Sequence, residues 1–105
     1  MRLAASTLRF YRLPYTREVR WANAVEDGGL FALLELVGDD GARGFAEGTL
    51  KATSSGTSPR SLAAQLEDLL IPRLKGVDLV DARAVAQALA PVPECRLAKT
   101  LVDNA

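Results

Sequence analysis

The most restrictive feature of the sequence is a short apolar run whose two faces are both hydrophobic. Over residues 30–37 (LFALLELV), alternate positions form two rows of apolar side chains, and Glu35 alone interrupts the second row. An antiparallel strand with one face in water alternates apolar with polar residues, so this strand requires cover on both faces. That cover comes either from a central position in a small sheet or from another domain or subunit.

A strong turn signal ties this strand to the next one. The sequence GDDG at residues 38–41 offers glycines for positive φ, and residues 42–48 follow it as a further strand. Residues 7–13 (TLRFYRL) mix aromatic residues with β-formers, and Pro14 ends them because proline donates no ladder hydrogen bond. We therefore predict three strands, at about 7–13, 30–37 and 42–48, in an antiparallel meander.

Two polar segments are predicted to be loops. Residues 15–29 form a long connection without a clear period, of a length that is uncommon in compact domains and often functional. Residues 49–57 (TLKATSSGT) are mostly small and polar. Trp21, the only tryptophan, lies in the first loop, either as a packed aromatic anchor or as a contact residue for a ligand or partner. Lys51, in the second loop, is either solvated or in contact with an anionic ligand.

The second half of the chain has helical periodicity. Ser58 and Pro59 supply an N-cap and a first helical position, and leucines then recur at spacings of three and four. Pro72 should thin the last turn, and Gly76 should cap the end of the helix. The leucines of this apolar stripe are Leu62, Leu66, Leu69, Leu70 and Leu74.

Two shorter helices follow the first one. Asp78 is the expected N-cap of the second helix, which PVP at residues 91–93 stops, and Glu94 begins the third helical pattern. The predicted helices cover about residues 59–75, 79–90 and 94–105. The sequence therefore predicts an α+β fold, in which a three-stranded antiparallel meander precedes a bundle of about three helices in a single domain.

The amino-acid composition excludes several kinds of chemistry within this chain. Histidine is absent, which rules out a Ser-His-Asp or Cys-His nucleophile, a histidine base and a histidine-bearing zinc site. The single Cys95 cannot form an internal disulfide, and thirteen basic residues balance thirteen acidic ones, so neither an oxidising compartment nor nucleic acid is indicated. The longest apolar stretch, residues 30–34, is too short to span a membrane. We expect a cytoplasmic chain with no catalytic residue and no metal ligand of its own.

The order of these pieces resembles a known family. A strand that ends in the pair LP precedes VRWA at residues 19–22, and the hairpin leads to GFAE at residues 44–47. Leucine-rich helices follow, with GVD at residues 76–78 and AKTLVDNA at residues 98–105. The arrangement resembles the N-terminal capping domain of the enolase superfamily, in particular its muconate-lactonizing enzyme and mandelate racemase branch. The likeness spans nearly the whole chain.

The resemblance implies a larger enzyme. In this superfamily the capping domain precedes a modified (β/α) barrel of roughly 250 residues, which carries the lysine bases and the acidic ligands of a magnesium ion. The shared step is abstraction of a proton α to a carboxylate, with Mg²⁺ stabilising the enediolate, and it serves racemases, epimerases, cycloisomerases and dehydratases. The implied partners are the chain's own C-terminal barrel and a small carboxylate substrate, with magnesium bound by the barrel and none by this chain.

The same resemblance implies which residues of this chain face the substrate. In the family, the loops after the first and third strands close over the barrel mouth and shape substrate choice, and here they are residues 15–29 and 49–57. Closing such loops excludes water from the reaction. The implied substrate-specificity residues are Val19, Trp21, Leu50, Lys51 and Thr53.

The third helix indicates that the sequence continues. It reaches Ala105 on a core-type position, with no C-cap glycine, no basic last turn and no polar tail. We therefore expect a fragment of a longer enzyme, inactive by itself, whose uncovered surfaces pair in a homodimer. The alternative is a complete small α+β binding or protein-interaction module, which predicts a last helix fully packed against the sheet.

Overall fold

The computed structural model describes residues 1–22, 24–51 and 56–105. The strands of its first half are β1 (Leu3–Arg20), β2 (Val25–Gly38) and β3 (Arg43–Leu50). They form one sheet in the order β1-β2-β3, with antiparallel pairing throughout. The predicted three-stranded antiparallel meander is confirmed, and β2 takes the central position.

The predicted loop over residues 15–29 is wrong. β1 continues past Pro14 to Arg20 and β2 begins at Val25, so residues 15–20 and 25–29 form the two strands of a long hairpin, which we call the hairpin arm. The register shifts after Pro14, and pairing resumes with Val19 opposite Glu26. The arm lacks an apolar period because it is held by its ladder of cross-strand hydrogen bonds rather than by burial against a core.

The second predicted loop, residues 49–57, also begins later than expected. Thr49 and Leu50 are the last residues of β3, where Leu50 pairs with Leu30 of β2. Residues 52–55 lie outside the described part of the chain. Lys51 follows the strand directly, so its backbone is held at the end of the sheet.

In the described residues, three helices follow the sheet, which confirms the α+β fold class. α1 begins as a regular helix over Pro59–Ala64, widens into a π-helical turn over Gln65–Leu70 and tightens into a 3₁₀ turn over Ile71–Leu74. α2 covers Ala82–Leu89, and α3 covers Arg96–Asn104. Within the described residues, no helix has the length and apolar character needed to cross a membrane.

The ends of α1 have the predicted caps. The Ser61 backbone N donates to Ser58 Oγ at 3.2 Å, and the Ser58 backbone N donates to Ser61 Oγ at 2.9 Å. Ser58 is therefore the N-cap, and Pro59 follows it where a missing N–H costs nothing. At the other end, Pro72 lies in the 3₁₀ turn and Gly76 adopts a φ of +77°.

The widened turn of α1 aligns a column of leucines. Leu62, Leu66, Leu70 and Leu74 recur every four residues and are all buried. In a regular α-helix a spacing of four drifts by about 40° per step, and the wider π turn reduces that drift. Leu69, which the periodicity placed in the same stripe, is instead 45% exposed, because the column uses the neighbouring position.

The N-cap of α2 differs from the prediction. Asp81 caps this helix, and its Oδ1 accepts hydrogen bonds from the backbone N of Arg83 at 3.1 Å and of Ala84 at 3.2 Å. Asp78, the predicted cap, accepts a hydrogen bond from the Val80 backbone N at 3.2 Å. The chain makes one further turn before the helix starts, so the capping role moves three residues along.

α3 begins at Arg96 rather than at the predicted Glu94, because Glu94 and Cys95 adopt positive φ values of 59° and 52°. The helix packs closely on β3, where a Cβ on Gly48 would lie 2.7 Å from Leu97 Cδ1. A glycine at this position therefore permits the close approach of helix and strand. The buried side chains of α3 are Ala98, Leu101 and Val102.

The hydrophobic core lies between one face of the sheet and the helices. The buried apolar side chains of β2 on this inner face are Ala32, Leu34 and Leu36. On the outer face, Phe31, Leu33 and Val37 are only half-buried. Glu35 interrupts that row, and its Oε1 lies 3.4 Å from Arg43 Nε. The central position thus gives β2 hydrogen-bonding partners at both edges, while its second face stays partly open.

Candidate functional site

The tip of the hairpin arm and the end of β3 lie side by side. Trp21, at the turn of the arm, is 54% exposed, and Lys51 Nζ lies 4.3 Å from the centroid of its ring. This is the geometry of a cation–π contact, in which the negative face of the indole attracts the ammonium. The structure thereby brings together two residues that are far apart in sequence and that the family resemblance implied.

A third residue, Glu26 of β2, completes this contact. Its Oε2 lies 3.2 Å from Lys51 Nζ, so the ammonium is held between a carboxylate and an aromatic ring. Both charged side chains are largely shielded, Glu26 being 20% and Lys51 29% exposed. Glu26 Oε2 itself is buried from solvent. Within the described residues it forms this ion pair but no hydrogen bond. We call Trp21, Glu26 and Lys51 the tip cluster.

Beside the tip cluster, the surface of the sheet contains a cavity of about 240 Å³. Gly28 lines it, and a Cβ at this position would lie 2.9 Å from the Leu13 carbonyl oxygen. Charged groups at its rim are paired, since Arg12 Nη2 lies 2.9 Å from Asp27 Oδ1 and the tip cluster contains a second ion pair. The surface is therefore concave and close to neutral, with one exposed aromatic ring.

The other implied site residues take different positions. Val19 is half-buried in β1, directly opposite Glu26. Leu50 is 5% exposed and belongs to the core cluster, so it supports the site from beneath. Thr53 lies outside the described residues. The role of these residues toward a substrate stays a prediction.

Glu26 was missing from the predicted site because residues 15–29 were interpreted as a loop. A hairpin interpretation would have placed it opposite Val19, next to the tip. The sequence offers only a weak signal for that hairpin: two β-branched residues, Val19 and Val25, flank a short segment that contains ANA but no glycine.

The tip cluster and the cavity beside it together form a contact surface. In the part of the chain that the structure describes, no three His, Cys, Asp or Glu side chains lie close enough together to hold a metal ion. The resemblance assigns its magnesium ion to the barrel, so no step through a metal is derived for these residues. Asp78 has a lowered pKa because it accepts a hydrogen bond from the Met1 amino group, but it lies beyond the start of β1, far along the sheet from the tip cluster.

Comparison with curated proteins identifies one informative relative. No protein-family model matches the chain. The chain is 30% identical over 107 residues to N-succinylamino acid racemase of Thermus thermophilus, and the match takes in 100% of this chain but 29% of that protein. The chain therefore spans less than a third of the length of the curated relative that it matches.

Solved structures share the fold. N-succinyl Arg/Lys racemase from Bacillus cereus matches with a TM-score of 0.88 at 21% identity, over 98% of this chain and 28% of its own. A mandelate racemase/muconate lactonizing protein from Herpetosiphon aurantiacus matches with a TM-score of 0.82 at 22% identity, over 97% and 28%. A dipeptide epimerase from Enterococcus faecalis, complexed with Mg and a dipeptide, matches with a TM-score of 0.76 at 14% identity, over 88% and 26%. Each match again occupies about a quarter of a larger protein.

Proposed function

The chain resembles the N-terminal capping domain of the enolase superfamily, and from this we propose that it is the cap of a larger magnesium-dependent enzyme of the muconate-lactonizing and mandelate racemase branch. The observation that carries the proposal is the share of each protein that the matches cover. The matches take in nearly all of this chain but only about a quarter of each larger protein. A unit that recurs whole within larger enzymes behaves as one of their domains rather than as a separate module.

The proposed reaction is abstraction of the proton α to the carboxylate of a small substrate, which leads to racemisation, epimerisation, cycloisomerisation or elimination. The names of the relatives support this class, since they include an N-succinylamino acid racemase and a dipeptide epimerase. As the resemblance implies, we assign the lysine bases and the acidic metal ligands to the barrel rather than to this chain. Bound magnesium supplies electrostatic stabilisation of the developing enediolate.

Within that enzyme, the tip cluster and the cavity beside it are the proposed surface toward the substrate. The exposed indole face supplies apolar contact area, and closing this surface over the barrel excludes water from the reacting groups. The core position of Leu50 steadies the strand end from which Lys51 emerges. The proposed substrate-specificity residues are Val19, Trp21, Leu50, Lys51 and Thr53.

The proposed partners are the enzyme's own barrel and its carboxylate substrate, in the cytoplasm and without nucleic acid or membrane. The balance of thirteen basic against thirteen acidic residues and the single cysteine support this setting. In isolation, the chain is proposed to form a homodimer through the outer face of the sheet. The support is apolar exposure on that face, where Phe45 is 53% exposed.

The test compares the complete product of the gene that encodes this chain with the 105-residue chain alone. Exchange of the α proton of N-succinylamino acids and dipeptides is followed by NMR in D₂O. We expect exchange by the complete product that a chelator abolishes and added Mg²⁺ restores, and none by the chain alone. A gene product without a barrel, or a barrel-containing product that exchanges no α proton in any carboxylate offered, would count against the proposal.

A further inference from the structure

The shielded carboxylate oxygen of Glu26 is a feature of the tip cluster that capping alone does not explain. Within the described residues, Oε2 makes no hydrogen bond and is removed from solvent. Shielding a charged acceptor from water costs free energy unless an opposite charge compensates it. Lys51 Nζ, 3.2 Å away, supplies that charge. Glu26 is therefore best understood through its effect on Lys51.

A lysine side chain at a strand end keeps a single position only when neighbouring groups hold its ammonium there. The four-carbon stem populates many rotamers in water, and ordering it costs conformational entropy. Here the ammonium is held from two directions, by the Glu26 carboxylate and by the Trp21 ring. Glu26 lies in β2, whereas Trp21 follows β1 and Lys51 follows β3. The two contacts of Lys51 therefore connect residues from the ends of all three strands.

We propose that Glu26 is a positioning residue of the cap, whose carboxylate holds the Lys51 ammonium against the Trp21 ring and neutralises it. The hairpin arm and the end of β3 then present one joined, charge-compensated surface. This inference rests on the proposed function for what meets the surface, whereas the geometry of the tip cluster stands without it. The substrate chemistry that such a surface recognises is a neutral aromatic or aliphatic group rather than a second carboxylate.

Trp21 reports on the cluster directly, because it is the only tryptophan of the 105-residue chain. Two quenchers of its fluorescence separate charge from access at constant ionic strength. Iodide is an anion that concentrates near an uncompensated ammonium, whereas acrylamide is neutral and reports exposure alone. The variant is Glu26→Gln, which keeps the size of the side chain and removes its charge. The matched control is Glu67→Gln, which removes the same charge from an exposed position of α1, away from the tip cluster.

In Glu26→Gln we expect the ratio of iodide to acrylamide quenching to rise roughly two- to threefold, the local enrichment that one unit charge gives an anion about 6 Å away in water. The control should keep the wild-type ratio. Adding Lys51→Met to Glu26→Gln should restore that ratio, because the charge through which Glu26 acts is then gone. An unchanged ratio in Glu26→Gln, an equal rise in the control, a parallel rise with both quenchers or a rise that survives Lys51→Met overturns the proposal.

A second pair of variants keeps the inference testable where Glu26→Gln fails to fold. Lys51→Met alone leaves the carboxylate uncompensated beside Trp21, so iodide quenching should fall below that of the wild type, whereas Lys51→Arg should keep the wild-type ratio. The opposite order, or no difference between the two, overturns the proposal. These measurements need neither substrate nor magnesium, so a failure of α-proton exchange in the complete enzyme is distinguishable from a failure of this inference.

Discussion

Two leucines of α1 have the same side chain but differ strongly in burial. Leu66 is 1% exposed in the core, whereas Leu69 in the same turn is 45% exposed. Leu66→Ala should lower the free energy of unfolding by about 3 kcal/mol, because it removes core contacts and leaves a cavity. Leu69→Ala should lower it by less than about 1 kcal/mol. Urea denaturation followed by circular dichroism measures both changes, and equal losses would contradict the four-residue column.

Asp78 makes the stability of the chain depend on pH. Its pKa is lowered because the Met1 amino group donates a hydrogen bond to its carboxylate at 3.1 Å, and the Val80 backbone N–H donates a second. A carboxyl whose pKa is lower in the folded state stabilises the fold above its ordinary pKa, and this stabilisation is lost as the pH falls through the folded value. The wild type should therefore be more stable than Asp78→Asn at neutral pH, and urea midpoints of the two should converge in the acid range. A difference that does not vary with pH would refute this origin.

At the scale of elements, the start of α2 depends on one cap. Asp81 satisfies two backbone N–H groups that have no partner within the helix. Asp81→Ala should lower the free energy of unfolding by about 1 kcal/mol, which thermal denaturation detects. Asp68→Ala, on the exposed side of α1, removes the same charge without a cap and serves as the control. A loss in the control as large as that in Asp81→Ala would show that charge, and not capping, is responsible.

The limits of α1 depend on local chemistry and were predicted well, whereas those of the hairpin arm depend on distant partners and were not. Ser58 and Gly76 act within a few residues of themselves, so the ends of α1 could be read from the sequence. The hairpin arm could not, because its polar residues are ordered by pairing across the ladder. The candidate site divides in the same way. Trp21 was identified from the sequence as the only tryptophan, in a long polar segment, and the family resemblance then implied a role toward the substrate, whereas Glu26 was identified only from the strand register.

For the whole molecule, we expect the partly open outer face of the sheet to govern self-association. Phe45 is 53% exposed there, on the edge strand β3. Phe45→Glu should weaken self-association of the isolated chain at least about fivefold, as loss of a central aromatic contact does in protein interfaces. Sedimentation equilibrium measures this shift. Val80→Glu, at a 72% exposed position away from the sheet, is the matched control, and a wild-type chain that stays monomeric at high concentration would refute the dimer.

The number of paired strands in the sheet also changes along its length. β3 pairs with β2 only over residues 30–37, whereas β1 and β2 continue to pair as far as Arg20 and Val25. A two-stranded ribbon without a core beneath it opens at a lower free energy than a three-stranded sheet packed on helices. We therefore expect the backbone amide of Val25 to exchange with deuterium faster than that of Leu34. Hydrogen exchange of the folded chain, followed by mass spectrometry of its peptides, measures this difference. We therefore expect the resistance of the hairpin to opening to decrease from its core-packed end toward its tip.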